Sequence, residues 1–263
     1  MYKNMTQRDK RSPLKDKPLR NPGQSLDEER HDLLYNKVLA PSLYALLLVT
    51  LAGMEWERYF LPQTPSPIFI TVIAVLGIGY AAFQIKRAWP AVHALQQGRD
   101  GEKAVGQYLE RLRERGYQVF HDVVGAGFNV DHVLIGPAGL FTIETKTYSK
   151  PPGPEAKVTF DGEHILVDGV EPDRDPVVQA KAQAGWLREL LAESAGRKFP
   201  TRPVILFPGW WVEQGKGTTR EVWVLEPKAL PGFLDHEPEV LNAEDVKLAS
   251  FHLSRFIRAQ EGL

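Results

Sequence analysis

Two stretches without one charged side chain, residues 38–54 and 67–85, constrain this chain more than any other feature of it. They run 17 and 19 residues. As helices they would reach about 26 and 28 Å, close to a hydrocarbon core of about 30 Å, with interfacial flanks completing each span. Trp56, Tyr59 and Trp89 sit where such flanks belong. Apolar length alone would also fit a helical hairpin buried in a soluble protein. The placement of Lys and Arg favours the membrane. Between the stretches only Arg58 carries positive charge, whereas Arg20, Arg30 and Lys37 precede the first and Lys86, Arg87 and Arg99 follow the second. The positive-inside rule then puts both chain ends in the cytoplasm. The expectation is a two-helix transmembrane hairpin in the cell (inner) membrane, multi-pass, with the lipid bilayer as a partner. The polar start is too long for a cleaved leader.

The rest of the chain divides around that hairpin. Residues 1–37, polar and without apolar periodicity, read as a cytoplasmic tail solvated to about Leu26. A short helix is expected from Ser25, whose hydroxyl would form a capping box with Glu28. Residues 38–97 hold the hairpin and a linker, and 98–263 form a soluble domain. Charge splits unevenly: 12 Lys and Arg against 8 Asp and Glu in 1–97, but 20 against 25 in 98–263. The soluble part therefore exerts no bulk pull on a polyanion, and any nucleic-acid partner must be met by a local site. With no cysteine in the chain, disulfides, thiol nucleophiles, iron–sulfur clusters and cysteine-ligated zinc are excluded.

Within 98–263 the pattern predicts a helix over 102–115, with Val105, Leu109 and Leu112 on one face and Gly116 as its stop. Strands follow at 117–124, 130–135 and 140–146, then a hairpin over 158–167 about Asp161-Gly162. A helix over 175–194 is expected to turn Val178, Ala182, Trp186, Leu187 and Leu190 inward. Strands at 203–207 and 221–225 and a helix over 243–260 complete an α/β sandwich around a mixed sheet.

The chemistry concentrates in residues 130–146, VDHVLIGPAGLFTIETK. The turn signal Gly136-Pro137-Ala138-Gly139 pairs its flanks antiparallel, with Ile135 opposite Leu140, and the same register sets Asp131 opposite Glu144. Alternation puts Glu144 and Lys146 on one face. Two carboxylates and an ammonium would thus converge within about 5 Å between Cβ atoms. Apolar neighbours on both faces make such charges costly unless partnered. A salt bridge from Lys146 to Glu144 or Asp131 would satisfy part of that demand without a metal. One lysine does not compensate two acids, however, and a hard divalent cation bound through oxygen does, leaving Lys146 to act on a water. That is the outline of a hydrolytic phosphodiester site.

At these residues the sequence resembles the nuclease-related domain family, a branch of the PD-(D/E)xK nuclease superfamily. The resemblance runs from Gly101-Glu102 through Asp131-His132-Val133, Ile135-Gly136-Pro137 and Glu144-Thr145-Lys146 to Asp175-Pro176 and Gln179. It implies a restriction-endonuclease-like mixed sheet flanked by helices and a Mg²⁺-dependent nuclease, with Mn²⁺ as the alternative ion. It further implies that Asp131 and Glu144 bind the metal, Lys146 assists the attacking water, Glu102 supports the metal or its waters, and Gln179 orients that shell or contacts DNA. Where the family usually carries Asn or His before an aromatic residue, this chain has Thr147 before Tyr148. The metal site is untouched by that departure, but contacts to substrate at the strand end are not carried over.

Two further features read as structural. His132 falls on the strand face opposite Asp131 and is expected in the core. Trp210-Trp211 is expected to pack over a sheet end, with stacking on a base as the alternative. Gly215-Lys216-Gly217-Thr218 lacks the spacing of a phosphate loop, and no H-E-x-x-H or G-x-S-x-G motif occurs. The functional expectation is a membrane-anchored nuclease acting on nucleic acid, DNA first. The competing reading is a non-catalytic, membrane-tethered module that binds nucleic acid or protein on the same fold.

Overall fold

The computed structural model describes residues 19–61, 67–125, 127–150, 156–215 and 221–260. Most of the expected polar tail, residues 1–18, and residues 216–218 of the rejected phosphate loop lie outside the described residues. The chain forms two compact units. One comprises Gly23–Ala104 with Lys146–Ser149, and the other comprises residues 19–22, 105–145 and those from 150 onward.

The first unit is helical. Helix α1 (Gln24–Leu34) passes through a π-helical turn (Tyr35–Leu39) into α2 (Ala40–Phe60), and α3 (Pro67–Glu110) follows. The capping box expected at Ser25 does not form: α1 begins one residue earlier, after Gly23 in the left-handed region (φ 69°), without a side-chain cap. Asp27 instead accepts from Arg99 (2.9 Å) and Lys103 (2.9 Å), tying α1 to a later turn of α3. Pro41 lies just after the π-helical turn inside this continuous run of helix, where it supplies no amide donor. Leu43, Leu46, Leu47, Ile68, Phe69 and Leu76 are exposed. Leu48 of α2 lies against Gly77 of α3 so closely that a Cβ there would collide with it, and Trp56 Nε1 donates to Thr71 Oγ1 at 2.8 Å. Gly79 plays no such part.

The linker expected after the second apolar stretch is helical instead. Helix α3 runs 44 residues and carries Pro90 and the polar 96–101 stretch inside it. Proline removes one amide donor and presses on the carbonyl four residues back, but its φ of about −65° is helical, so a helix anchored on both sides can continue through it. Gly98 and Gly101 serve close packing within this unit. Leu26 lies 3.3 Å from a Cβ built on Gly98, and a Cβ on Gly101 would overlap Thr147.

The second unit is a mixed α/β layer structure. Its five-stranded sheet has the order β1-β2-β3-β6-β8, from β1 (Gln118–Val124), β2 (Asn129–Gly136), β3 (Gly139–Thr145), β6 (Thr201–Leu206) and β8 (Trp223–Leu225). Strands β1, β2 and β3 pair antiparallel, and β3, β6 and β8 pair parallel. The expected register holds, with Ile135 opposite Leu140. A smaller sheet, β5-β4-β7, joins β4 (Lys157–Phe160), β5 (Ile165–Val167) and β7 (Trp211–Gln214), a strand the pattern did not predict. The β4–β5 turn closes as expected, with Asp161 Oδ1 accepting from Glu163 N (2.8 Å) and His164 N (2.7 Å).

Helices cover both faces of the main sheet. On one, Val105, Leu109 and Leu112 from the end of α3 and the 3₁₀ turn after it (Arg111–Arg115) pack with Leu134, Phe141, Ile143 and Trp223, joined by Leu230 and Leu234 of α5 (Leu230–Asp235). On the other, Leu187 and Leu191 of α4 (Pro176–Ala195) and Ala249, Leu253 and Ile257 of α6 (Ala243–Gln260) pack with Val133, Ile135 and Leu140. Strand β3 is buried along its whole length, so it reads as an apolar run rather than an alternation.

Helix α4 starts where expected, with Asp175 Oδ1 accepting from Val177 N (2.8 Å). Its buried face differs. Val177, Ala180, Gln183, Ala184, Leu187 and Leu191 point inward, while Val178 is 63% exposed. An apolar stripe drawn without Gln183 leaves out a polar residue that the sheet requires.

Candidate active site

Strand β2 leaves regular pairing with β3 after His132, which faces Ile143. One step on, the side chain of Asp131 replaces the backbone as acceptor: its Oδ2 takes the amide of Thr145 at 2.6 Å. That contact fixes Asp131 beside Glu144-Thr145 at the end of β3. Asp131 is half-buried, whereas Glu144 is 4% exposed.

Glu144 points to the α4 layer and finds two amide donors there. Gln179 Nε2 reaches Oε1 at 2.7 Å, and Gln183 Nε2 reaches Oε2 at 2.6 Å. Gln183 Nε2 also donates to the carbonyl of Asn129 at 2.9 Å. Residues four apart lie one above the other on a helix face, so the two glutamines form a vertical pair that holds the carboxylate at both oxygens. Gln183 was not singled out from the sequence. Its only signal was its position one turn beyond Gln179.

The two remaining predicted residues belong to the other unit. Glu102 is buried on α3, and Lys146, half-buried, is the first residue past β3. A fully dry setting for the two acids and the amine is corrected by these exposures: of the three, only Glu144 is buried.

A divalent cation fits the donor set. Asp131 and Glu144 offer hard carboxylate oxygens with about four lone-pair sites each, so amide hydrogen bonds leave coordination capacity. The other end of the Gln183 amide, Oε1, is buried without a hydrogen-bond partner, an acceptor beside Glu144 that an ion's water would satisfy. Mg²⁺ usually takes one or two carboxylates and keeps several waters. Among the described residues there is no cluster of three His, Asp or Glu side chains that would cage an ion.

His132 is core, as expected, with 0% exposure, on the face opposite Asp131. Its Nδ1 lies 2.9 Å from Nδ1 of His121, whose Nε2 lies 2.8 Å from Glu110 Oε1. Burial lowers the pKa of His121 against the pull of Glu110, and lowers that of His132 further. Both rings are then neutral, which sets the tautomers: His121 donates to Glu110 from Nε2 and accepts at Nδ1 from His132, leaving His132 Nε2 as a buried atom without a partner. Trp210 is buried beneath Lys150, whereas Trp211 is 71% exposed on β7.

Comparison with known proteins gives this geometry a context. Residues 97–208 match the family model described as "Nuclease-related domain". Domains of that kind belong to the general PD-(D/E)xK type and generally use divalent metals. An uncharacterized protein of Bacillus anthracis, pXO1-01, is 37% identical over 57 residues, which cover 20% of this chain and 27% of that protein. The chain thus spans about a quarter of the length of this relative. No solved structure matches.

Proposed function

Taking residues 97–208 as a nuclease-related domain, with the nuclease-like function this suggests, we propose that the chain is a membrane-anchored, divalent-metal-dependent nuclease. The observation that supports this reading is the placement of Asp131 and Glu144 at adjoining ends of β2 and β3, Asp131 oriented by the amide of Thr145 and Glu144 by the side-chain amides of Gln179 and Gln183. On this reading Asp131 and Glu144 hold Mg²⁺ or Mn²⁺, with Glu102 supporting the ion or its waters. When bound, the ion supplies Lewis-acid polarisation of the phosphoryl oxygen and acidifies a bound water.

The remaining roles fall to the chain's own groups. Thr145 N holds Asp131 in place, and Gln179 and Gln183 keep Glu144 oriented by donating to both of its oxygens. Lys146 carries an ammonium that orients the attacking water and offsets charge on the phosphate. DNA is the proposed substrate. The membrane part of the reading is supported by two helices long and apolar enough to cross a bilayer and by the outward-facing leucines and aromatics on them. The charge pattern around them supports cytoplasmic termini.

Full-length protein in detergent, given single- and double-stranded DNA with Mg²⁺ or Mn²⁺, is expected to cleave, and Asp131→Asn or Lys146→Ala is expected to lose about a hundredfold or more of that rate without loss of secondary structure. Cleavage at wild-type rate by either variant would overturn the site assignment.

A further inference from the structure

The 98–263 segment carries excess acid, 25 Asp and Glu against 20 Lys and Arg, so a polyanionic substrate has to be engaged locally. One groove meets that need. It has a volume of about 580 Å³ and is lined by Lys181, Gly185 and Arg188 of α4, by Thr201 and Arg202 of β6, and by Glu221 at its rim. Residues 181, 185 and 188 follow helical spacing and form one stripe down α4. The opposite wall is the start of β6. Strand β8 pairs only with Val204–Leu206, so no described strand closes over Thr201 and Arg202 on that side. Gly185 keeps the floor open: among the described residues, its chain neighbours and own helix backbone aside, Arg188 Nη2 alone comes within 4 Å of a Cβ built there, at 3.9 Å.

The three cations differ in how they are engaged. Arg202 is held over the Trp223 ring (4.5 Å) and donates to Glu237 at 2.6 Å. Lys181 meets Glu221 at 3.3 Å, but both are well exposed, a pairing worth little in water. Arg188 is exposed and has no ion-pair partner among the described residues. With Glu237 set against Arg202 and Glu221 against Lys181, Arg188 leaves the groove an excess of one positive charge on a segment whose overall charge is negative.

From this arrangement we propose that the groove binds the sugar–phosphate backbone of a nucleic-acid strand outside the cleavage site. The inference rests on the nuclease reading and names a subsite for its substrate. Lys181 and Arg188 are separated by about 10 Å along the helix, room for more than one phosphate. The stripe starts in the turn of α4 that also carries Gln179 and Gln183, the residues that hold Glu144. A strand bound there contacts the flank of the helix that orients the catalytic carboxylate. Phosphate contacts of this kind position a strand without reading its sequence.

The test measures binding apart from turnover. Full-length protein in detergent, with EDTA present to suppress cleavage, is titrated against a fluorescently labelled oligonucleotide over a range of salt. Lys181→Ala/Arg188→Ala is expected to weaken binding about tenfold or more and to flatten the log K against log salt slope by between one and two units. Gly185→Leu, which fills the floor without changing charge, is expected to weaken binding as well. In Mg²⁺ the double variant should raise KM for a long oligonucleotide and leave hydrolysis of bis(p-nitrophenyl) phosphate unchanged. Wild-type affinity and salt slope in both variants would overturn the proposal, and so would displacement of the oligonucleotide by poly-glutamate at equal charge concentration, which would mark a site for acidic protein. If binding responds as expected but wild-type protein cleaves nothing, the nuclease reading fails and the subsite stands. If cleavage proceeds and binding ignores the groove, the reverse holds.

Discussion

Glu144 shows how much of the site depends on single side chains. A buried carboxylate is tolerable only with partners, and here both oxygens receive an amide hydrogen. Gln183→Leu removes one donor and also leaves the Asn129 carbonyl without it. A loss of about 1–3 kcal/mol of stability is expected, measurable by chemical denaturation, together with reduced cleavage. Gln179→Leu removes one bond only and should cost less, so an equal loss from both would contradict the two-bond role of Gln183. The histidine pair gives a pH prediction with a definite sign. Burial depresses both imidazole pKa values in the folded state, so below about pH 6.5 the unfolded chain takes up protons that the folded chain refuses. Stability is therefore expected to be full near pH 7.5 and to fall as pH drops below 6.5, by up to about 1.4 kcal/mol per pH unit for each histidine. Denaturant titrations of wild type and His121→Gln at pH 5.0 and 7.5 check this, and an unchanged wild-type midpoint between them would refute it.

At the scale of elements, most strands and the start of α4 at Asp175 were legible in the sequence, whereas the cap at Ser25, strand β7 and the helix phases were not. The Gly136-Pro137-Ala138-Gly139 turn specifies the β2–β3 register because a one-residue slip would move every side chain to the other face. The inward face of α4 differs from the expected stripe because Gln183, a polar residue, is buried on it, and the carboxylate across the layer gives it a reason to be there. Likewise the linker expected before residue 98 is helix, and α3 runs through Pro90, since proline lowers helix stability without making the helix conformation inaccessible. Gly101 is where α3 passes against Thr147, immediately after Lys146, with no room for a methyl group. Gly101→Val is accordingly expected to displace residues 146–149. Cleavage should fall by about tenfold or more with helix content by circular dichroism preserved, whereas wild-type activity would remove any link between this packing and the lysine.

For the whole molecule, the apolar helices predict behaviour that a soluble enzyme would not show. The full chain is expected to sediment with membranes, to resist carbonate extraction and to require detergent for release; recovery in the carbonate supernatant would contradict the anchored reading. The sequence alone determined the order of most elements, the β2–β3 pairing and the candidacy of Asp131, Glu144 and Lys146. These follow from local rules: charge-free length, turn chemistry and two-residue alternation act between near neighbours along the chain. It could not determine what surrounds those residues. Gln183 beneath Glu144, Asp131 accepting from the Thr145 amide, the ring-to-ring bond of His121 and His132, and the cationic groove between α4 and β6 all join segments distant in sequence or depend on side-chain direction. Such contacts exist only once the layers have packed, because burial and hydrogen-bond geometry are properties of the assembled fold.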